Sequence, residues 1–265
     1  MTTVFFLFLF HSSLGLLAML PFVDEQAGAK FFKFCSAAAA FMTTAAVWLL
    51  YRRYGASGGE TAPGAELYSA MLAASTVSLV ATVLYNRARH FGWKRLLAPL
   101  LGTALVAGGV AIVLAAPEPR TVTIAADLSS VLLIGAAAGA MILGHWYLVV
   151  IDLPIAALRR LTTLLIIGLV ARSATVAMAL FGPVRGALDD AQMIAMGLWS
   201  PDGIFVWMRL LFGLAGPVAL IWFIWKTVEI RSTQSATGIL YVQLFLVMSG
   251  ELLAKYLRVA ASLPL

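Results

Sequence analysis

Charge is scarce in this sequence: 11% of its 265 residues are Asp, Glu, Lys or Arg, where a soluble globular domain carries about 25%. A domain this poor in charge cannot cover its surface with polar groups, so much of that surface must face something other than water. Cysteine is nearly absent. The one thiol, Cys35, sits inside an apolar run, which excludes disulfides, Cys-ligated iron–sulfur clusters and Cys-rich zinc sites within the chain. Three dispersed histidines are a poor supply for zinc. No P-loop, H-E-x-x-H, G-x-S-x-G or dinucleotide fingerprint occurs, which removes the common routes to catalysis on water-soluble substrates.

What the sequence has in excess is apolar surface. Hydrophobic residues make up 62% of the chain, more than a core of this length needs, and lipid is their natural partner. The rule that about twenty apolar residues cross the hydrocarbon layer gives eight spans, at residues 3–23, 31–51, 66–86, 96–116, 124–151, 161–182, 203–226 and 236–261. Backbone groups in lipid must be satisfied within each segment, so every span is expected to be helical. The expected fold is an all-α integral membrane protein, a single polytopic domain over 1–265. The first run lacks a basic n-region and carries His11 in its middle, so it is expected to be a retained helix and not a signal peptide.

Connections between spans carry loop chemistry, from DEQAGAK and GASGGETAPGA to the strongly basic NRARHFGWKR, which holds His90 as a solvated or headgroup-facing residue. The longest, between the sixth and seventh spans, includes Trp199, suited to an interface. The formal charge of +6 sits in short clusters between apolar runs, the pattern of orientation signals and not of nucleic-acid binding. One side holds Lys30, Lys33, Arg87, Arg89, Lys94, Arg95, Arg159, Arg160, Lys226 and Arg231. The other holds Arg52, Arg53, Arg120, Arg185, Lys255 and Arg258. The richer side is expected to be cytoplasmic, placing both termini outside. Gly135 and Gly139 form a small-xxx-small pair that invites close approach of another helix.

Ionisable residues at membrane depth cost several kcal/mol and are the first functional suspects. They are His11 in the first span, Asp127 and His145 in the fifth, Arg172 in the sixth, Arg209 in the seventh, and Glu251, Lys255 and Arg258 in the eighth. Glu66 opens the third span at a similar outer level. Glu251 and Lys255, four apart, share a helical face, and Arg209 and Asp127 are candidates to pair between helices. Such residues either neutralise one another and hold the bundle together, or line a pocket for a polar-headed molecule or for protons. His11 and His145 invite a bis-histidine haem b, but their depths differ by roughly 18 Å at 1.5 Å rise per residue.

The closing third adds a resemblance. Ser200-Pro201-Asp202-Gly203 is followed by Arg209 in the same helix, then by Trp222 and Trp225, and the last helix reads YVQLFLVMSGELLAKYLR with Gly250-Glu251 before a basic residue and an aromatic. This resembles the closing two helices of the membrane-anchor subunit of DMSO reductase-type molybdoenzymes. Those anchors have eight helices with both termini outside, and Glu66 resembles the acidic residue they carry at the start of the third. The first two helices match poorly, and His145 in GHWYLV has no counterpart.

The resemblance implies a quinone-interacting electron-transfer subunit in a bacterial inner membrane. It would oxidise menaquinol or ubiquinol near the outer face and pass electrons to a partner iron–sulfur subunit beside a catalytic subunit. Glu251 or Glu66 would accept protons. Arg172 or Arg209 would orient the quinone oxygen, and His145, Asp127 and Lys255 would complete the pocket. A haem-bearing cytochrome, a transporter or channel, and a purely structural subunit remain alternatives. Scarce mid-span prolines, Pro217 apart, and the lack of a repeat weigh against transport.

Overall fold

The computed structural model describes residues 1–54, 109–110, 120–150, 153–181, 203–261, 263 and 265, without the side chains of 53 and 54. The third and fourth expected spans, with Glu66, lie outside these residues, as do His90 and Trp199.

Among the described residues every regular element is a helix, and six helices are long and apolar enough to cross a membrane. They are α1 (Thr2–Met19), α2 (Gly28–Tyr54), α3 (Arg120–Tyr147), α4 (Ala156–Phe181), α5 (Gly203–Glu229) and α6 (Thr233–Ala261). Each coincides with an expected span to within a few residues. Most outrun their apolar stretch because polar end residues can remain helical beyond the hydrocarbon layer. The far end of α1 gives way to a 3-10 turn at Leu20–Phe22, and the far end of α3 stops short. There the chain leaves the helix at Tyr147, four residues before the apolar run ends. Val150 N–H bonds back to Trp146 O, and Tyr147 Oη donates to Pro154 O at 2.5 Å.

α3 is the central helix. It packs against α1, α4 and α6, and 78% of its most apolar window is buried, against 22% for α5. This centrality follows from its small side chains: the run Gly135 to Ala140 is buried throughout. Gly135 meets Gly15 of α1 backbone to backbone, and a Cβ on either glycine would collide with the other helix's main chain. Without a hydrophobic driving force between helices in lipid, such close van der Waals contact is what holds them. Hydroxyls tie α1 to α2, since Ser13 Oγ donates to Ala39 O at 2.8 Å and also meets Thr43 Oγ1.

α5 and α6 cross where Gly213 meets Gly250. The crossing falls within a π-helical turn, Leu211–Ala215, just ahead of Pro217. Proline removes one backbone donor and crowds the preceding turn, and a π-turn is one of the ways a helix absorbs that. The opposite face of α5 presents Leu211, Phe212, Val218, Trp222 and Phe223 outward, as a lipid-facing helix should.

Candidate functional site

α1, α3 and α5 enter the bundle at one end, and α4 and α6 leave it there. Counted from that end, His11, Ser130, Arg172 and Glu251 lie nine or ten residues along their helices, about 15 Å deep at 1.5 Å per residue. Four helices thus bring their polar residues to one level.

Glu251 is the centre. Its Oε1 accepts from Arg172 Nε at 2.8 Å and Arg209 Nη2 at 2.9 Å, and its Oε2 accepts from Arg172 Nη2 at 3.2 Å and Ser130 Oγ at 2.6 Å. A carboxylate has about four acceptor positions, and all four are filled. The carboxylate and both guanidinium groups are shut off from solvent. The glycines at the α5–α6 crossing make this possible. The Arg209 guanidinium lies against Gly213 and Gly250, where a Cβ would stand in its way. Arg172 also donates to the main-chain oxygen of Leu265 at 2.7 Å and reaches Thr175 Oγ1 at 3.4 Å.

Asp127 is a second centre. It pairs with Arg258, stands 3.7 Å from Lys255 Nζ, and faces His11 Nε2 at 3.8 Å. Ser130, one turn along α3, joins the two centres: it donates to Glu251, takes a hydrogen bond from Lys255 Nζ at 3.0 Å, and lies 3.4 Å from His11 Nδ1. The Lys255–Glu251 pair expected from their spacing forms loosely, at 3.9 Å, because Lys255 is turned toward Ser130 and Asp127. Arg209 does not pair with Asp127. It reaches Glu251, since the α5–α6 crossing holds those two helices together while Asp127 belongs to α3.

Four cations (Arg172, Arg209, Lys255, Arg258) thus surround two carboxylates, with His11 alongside. Each Arg, Lys or Asp at the centre of a lone helix costs roughly 2.5–3.5 kcal/mol to insert. Pairing offsets that cost, and removing one partner of a buried pair exposes it again. Three buried side chains keep unmatched polar atoms among the described residues: Ser36 at Oγ, Arg209 at Nε and Nη1, and the fully buried Gln243, two turns from Glu251 along α6, at both amide atoms.

His145 belongs elsewhere. It is exposed near the opposite end of α3, where Tyr241 Oη meets its Nδ1 at 3.0 Å. It lies fifteen residues beyond Ser130, against which His11 sits, so about 22 Å of helix separates the two imidazoles. That is too far for one haem to take both as ligands. A cavity of about 620 Å³ near that opposite end is lined by Tyr147, Leu153, Pro154, Ile155, Ala156, Arg231 and Thr233. The described residues contain no group of three or more His, Cys, Asp or Glu placed to hold a metal ion.

Sequence reasoning named Glu251, Arg172, Arg209, Asp127, Lys255 and His11 one by one, and the fold brings all six together. It missed Ser130 and Gln243, whose side chains are uncharged. The signal for Ser130 was its spacing of three from Asp127, which puts both on one face of α3. Comparisons of the chain with protein-family models, with curated proteins and with solved structures found no match.

Proposed function

We propose that this chain is a quinone-interacting subunit of a respiratory electron-transfer complex, oriented in a bacterial inner membrane with the charged cluster toward the outer face. One observation carries the reading. Arg209 and Glu251, the residues on which the resemblance of the last two helices rests, meet at 2.9 Å inside the bilayer-spanning bundle with Arg172, Lys255 and Asp127 around them. A quinol head needs hydrogen-bond partners and a route for its protons, while its isoprenoid tail needs apolar walls. Polar groups gathered at one depth among lipid-facing helices supply both.

In this reading menaquinol or ubiquinol binds beside the cluster, and Glu66 and Glu251 are the carboxylates on the proton route. The electrons leave to an iron–sulfur centre of a partner subunit, because a chain with one cysteine cannot hold such a cluster itself. The basic residues Lys30, Lys33, Arg159, Arg160, Lys226 and Arg231 all belong to the end of the bundle away from the cluster, which supports the orientation through the positive-inside rule.

The test is organic extraction of the purified membrane protein together with a redox difference spectrum. Stoichiometric quinone without a haem band is the expected result. A haem band would transfer the proposal to a cytochrome, and the absence of both would favour a structural subunit. Glu251→Gln is expected to lower quinol oxidation about a hundredfold or more, the usual scale for a lost proton-transfer group; unchanged turnover would remove Glu251 from the route.

A further inference from the structure

All four acceptor positions of Glu251 are taken, three by guanidinium N–H groups and one by the Ser130 hydroxyl. A proton reaching this carboxylate must move on. The direction open to it is set by Ser130, whose hydroxyl has one proton to donate and two lone pairs to fill.

Ser130 Oγ has three neighbours: Glu251 Oε2 at 2.6 Å, Lys255 Nζ at 3.0 Å and His11 Nδ1 at 3.4 Å. Lysine only donates, so Ser130 gives its proton either to Glu251 or to His11 and accepts from the other. Both arrangements leave Ser130 with one donated and two accepted hydrogen bonds. In one, Glu251 is protonated and donates to Ser130, which donates to an unprotonated His11 Nδ1, while His11 Nε2–H faces Asp127. In the other, Ser130 donates to ionised Glu251 and receives from His11 Nδ1–H, and the imidazole carries protons on both nitrogens. The two contain the same number of protons and differ by one proton moved from Glu251 to His11. No electron moves and no bond to a heavy atom changes.

The far side of the imidazole suits that outcome. Its Nε2 faces Asp127 Oδ1 at 3.8 Å, so the doubly protonated ring gains a carboxylate opposite the proton it has to hold. Around His11, α3 contributes Asp127 and Ser130, α6 contributes Glu251, Lys255 and Arg258, and α2 contributes Thr43, bonded to the neighbouring Ser13. Arg258, on Asp127, is 13% exposed, the most open of the cations in the cluster. We propose that His11 is the proton-accepting residue of this cluster, loaded from Glu251 through the Ser130 hydroxyl and held against Asp127. The geometry supports the relay by itself; its use for quinol protons rests on the function proposed above.

The chain has only three histidines, His11, His90 and His145, so nitrogen-15 NMR of histidine-labelled protein in lipid bilayers can follow each one. His90→Gln and His145→Gln assign the remaining signal to His11 even if a His11 variant does not fold. On acidification His11 is expected to pass from one protonated nitrogen to two. The doubly protonated form should be lost in Asp127→Asn. In Ser130→Ala, His11 should cease to respond to Glu251→Gln. A His11 ring that keeps a single N–H throughout the acidification overturns the proposal. Quinone extraction from the same preparation separates the two ideas. Bound quinone with an inert His11 ends the relay and leaves the function standing, and a titrating His11 without quinone does the reverse.

Discussion

At the scale of single residues, Glu251 has the largest consequences. Its removal leaves Arg172 and Arg209 buried without their counter-charge, and breaking a buried pair in this way costs about 3–5 kcal/mol. Glu251→Ala is therefore expected to lower the thermal midpoint of the purified protein markedly, whereas Lys226→Ala, whose partner Glu229 is exposed with it, should leave it almost unchanged. Ser130→Ala removes a hydroxyl serving three neighbours and is expected to cost about 1–3 kcal/mol, read in the same melting experiment. Much at this scale was legible beforehand. A charge inside an apolar run stands out against its neighbours, and His11, Asp127, Arg172, Arg209, Glu251 and Lys255 all did. Uncharged Ser130 and Gln243 did not, because serine and glutamine occur in ordinary helices and only their neighbours give them a role.

At the scale of elements, the helices meet where side chains are missing. α1 and α3 touch at Gly15 and Gly135, and α5 and α6 at Gly213 and Gly250. Gly135→Leu is expected to push α1 away from α3 and destabilise the bundle by about 1–3 kcal/mol, as overpacking of a tight contact does. Gly213→Ala has a more specific expected effect, because the added methyl would fall on the Arg209 guanidinium. Arg209 should then lose Glu251, so Gly213→Ala and Arg209→Ala should not add in a double-mutant cycle. Full additivity of the two melting shifts would mean that the crossing and the ion pair are independent. The small-xxx-small pair Gly135 and Gly139 announced a contact face of α3 in the sequence. Its partner, Gly15, could not be read, since one glycine in an apolar helix has many possible neighbours.

For the whole molecule, the proposed orientation has both chain ends outside, on the strength of an even number of expected spans and of the asymmetry of lysine and arginine. In a Cys35→Ser background, a membrane-impermeant thiol reagent added outside should label Thr2→Cys and spare Ser232→Cys, which lies in the turn between α5 and α6. The reverse labelling would invert the molecule and turn the charged cluster to the cytoplasm.

The sequence alone determined that this chain is helical and carries several runs long and apolar enough to cross a membrane, because such runs are visible one at a time. It also determined which residues are costly at membrane depth. The tertiary structure decided which of those residues meet. Residues from α1, α3, α4, α5 and α6 reach one level only once helix direction, glycine-mediated approach and the register of each helix are set together, and none of these is a property of a single segment. That is why the expected pairing of Asp127 with Arg209 gave way to Arg209 with Glu251 and Asp127 with Arg258, and why His145 stands apart from the histidine it was first matched with.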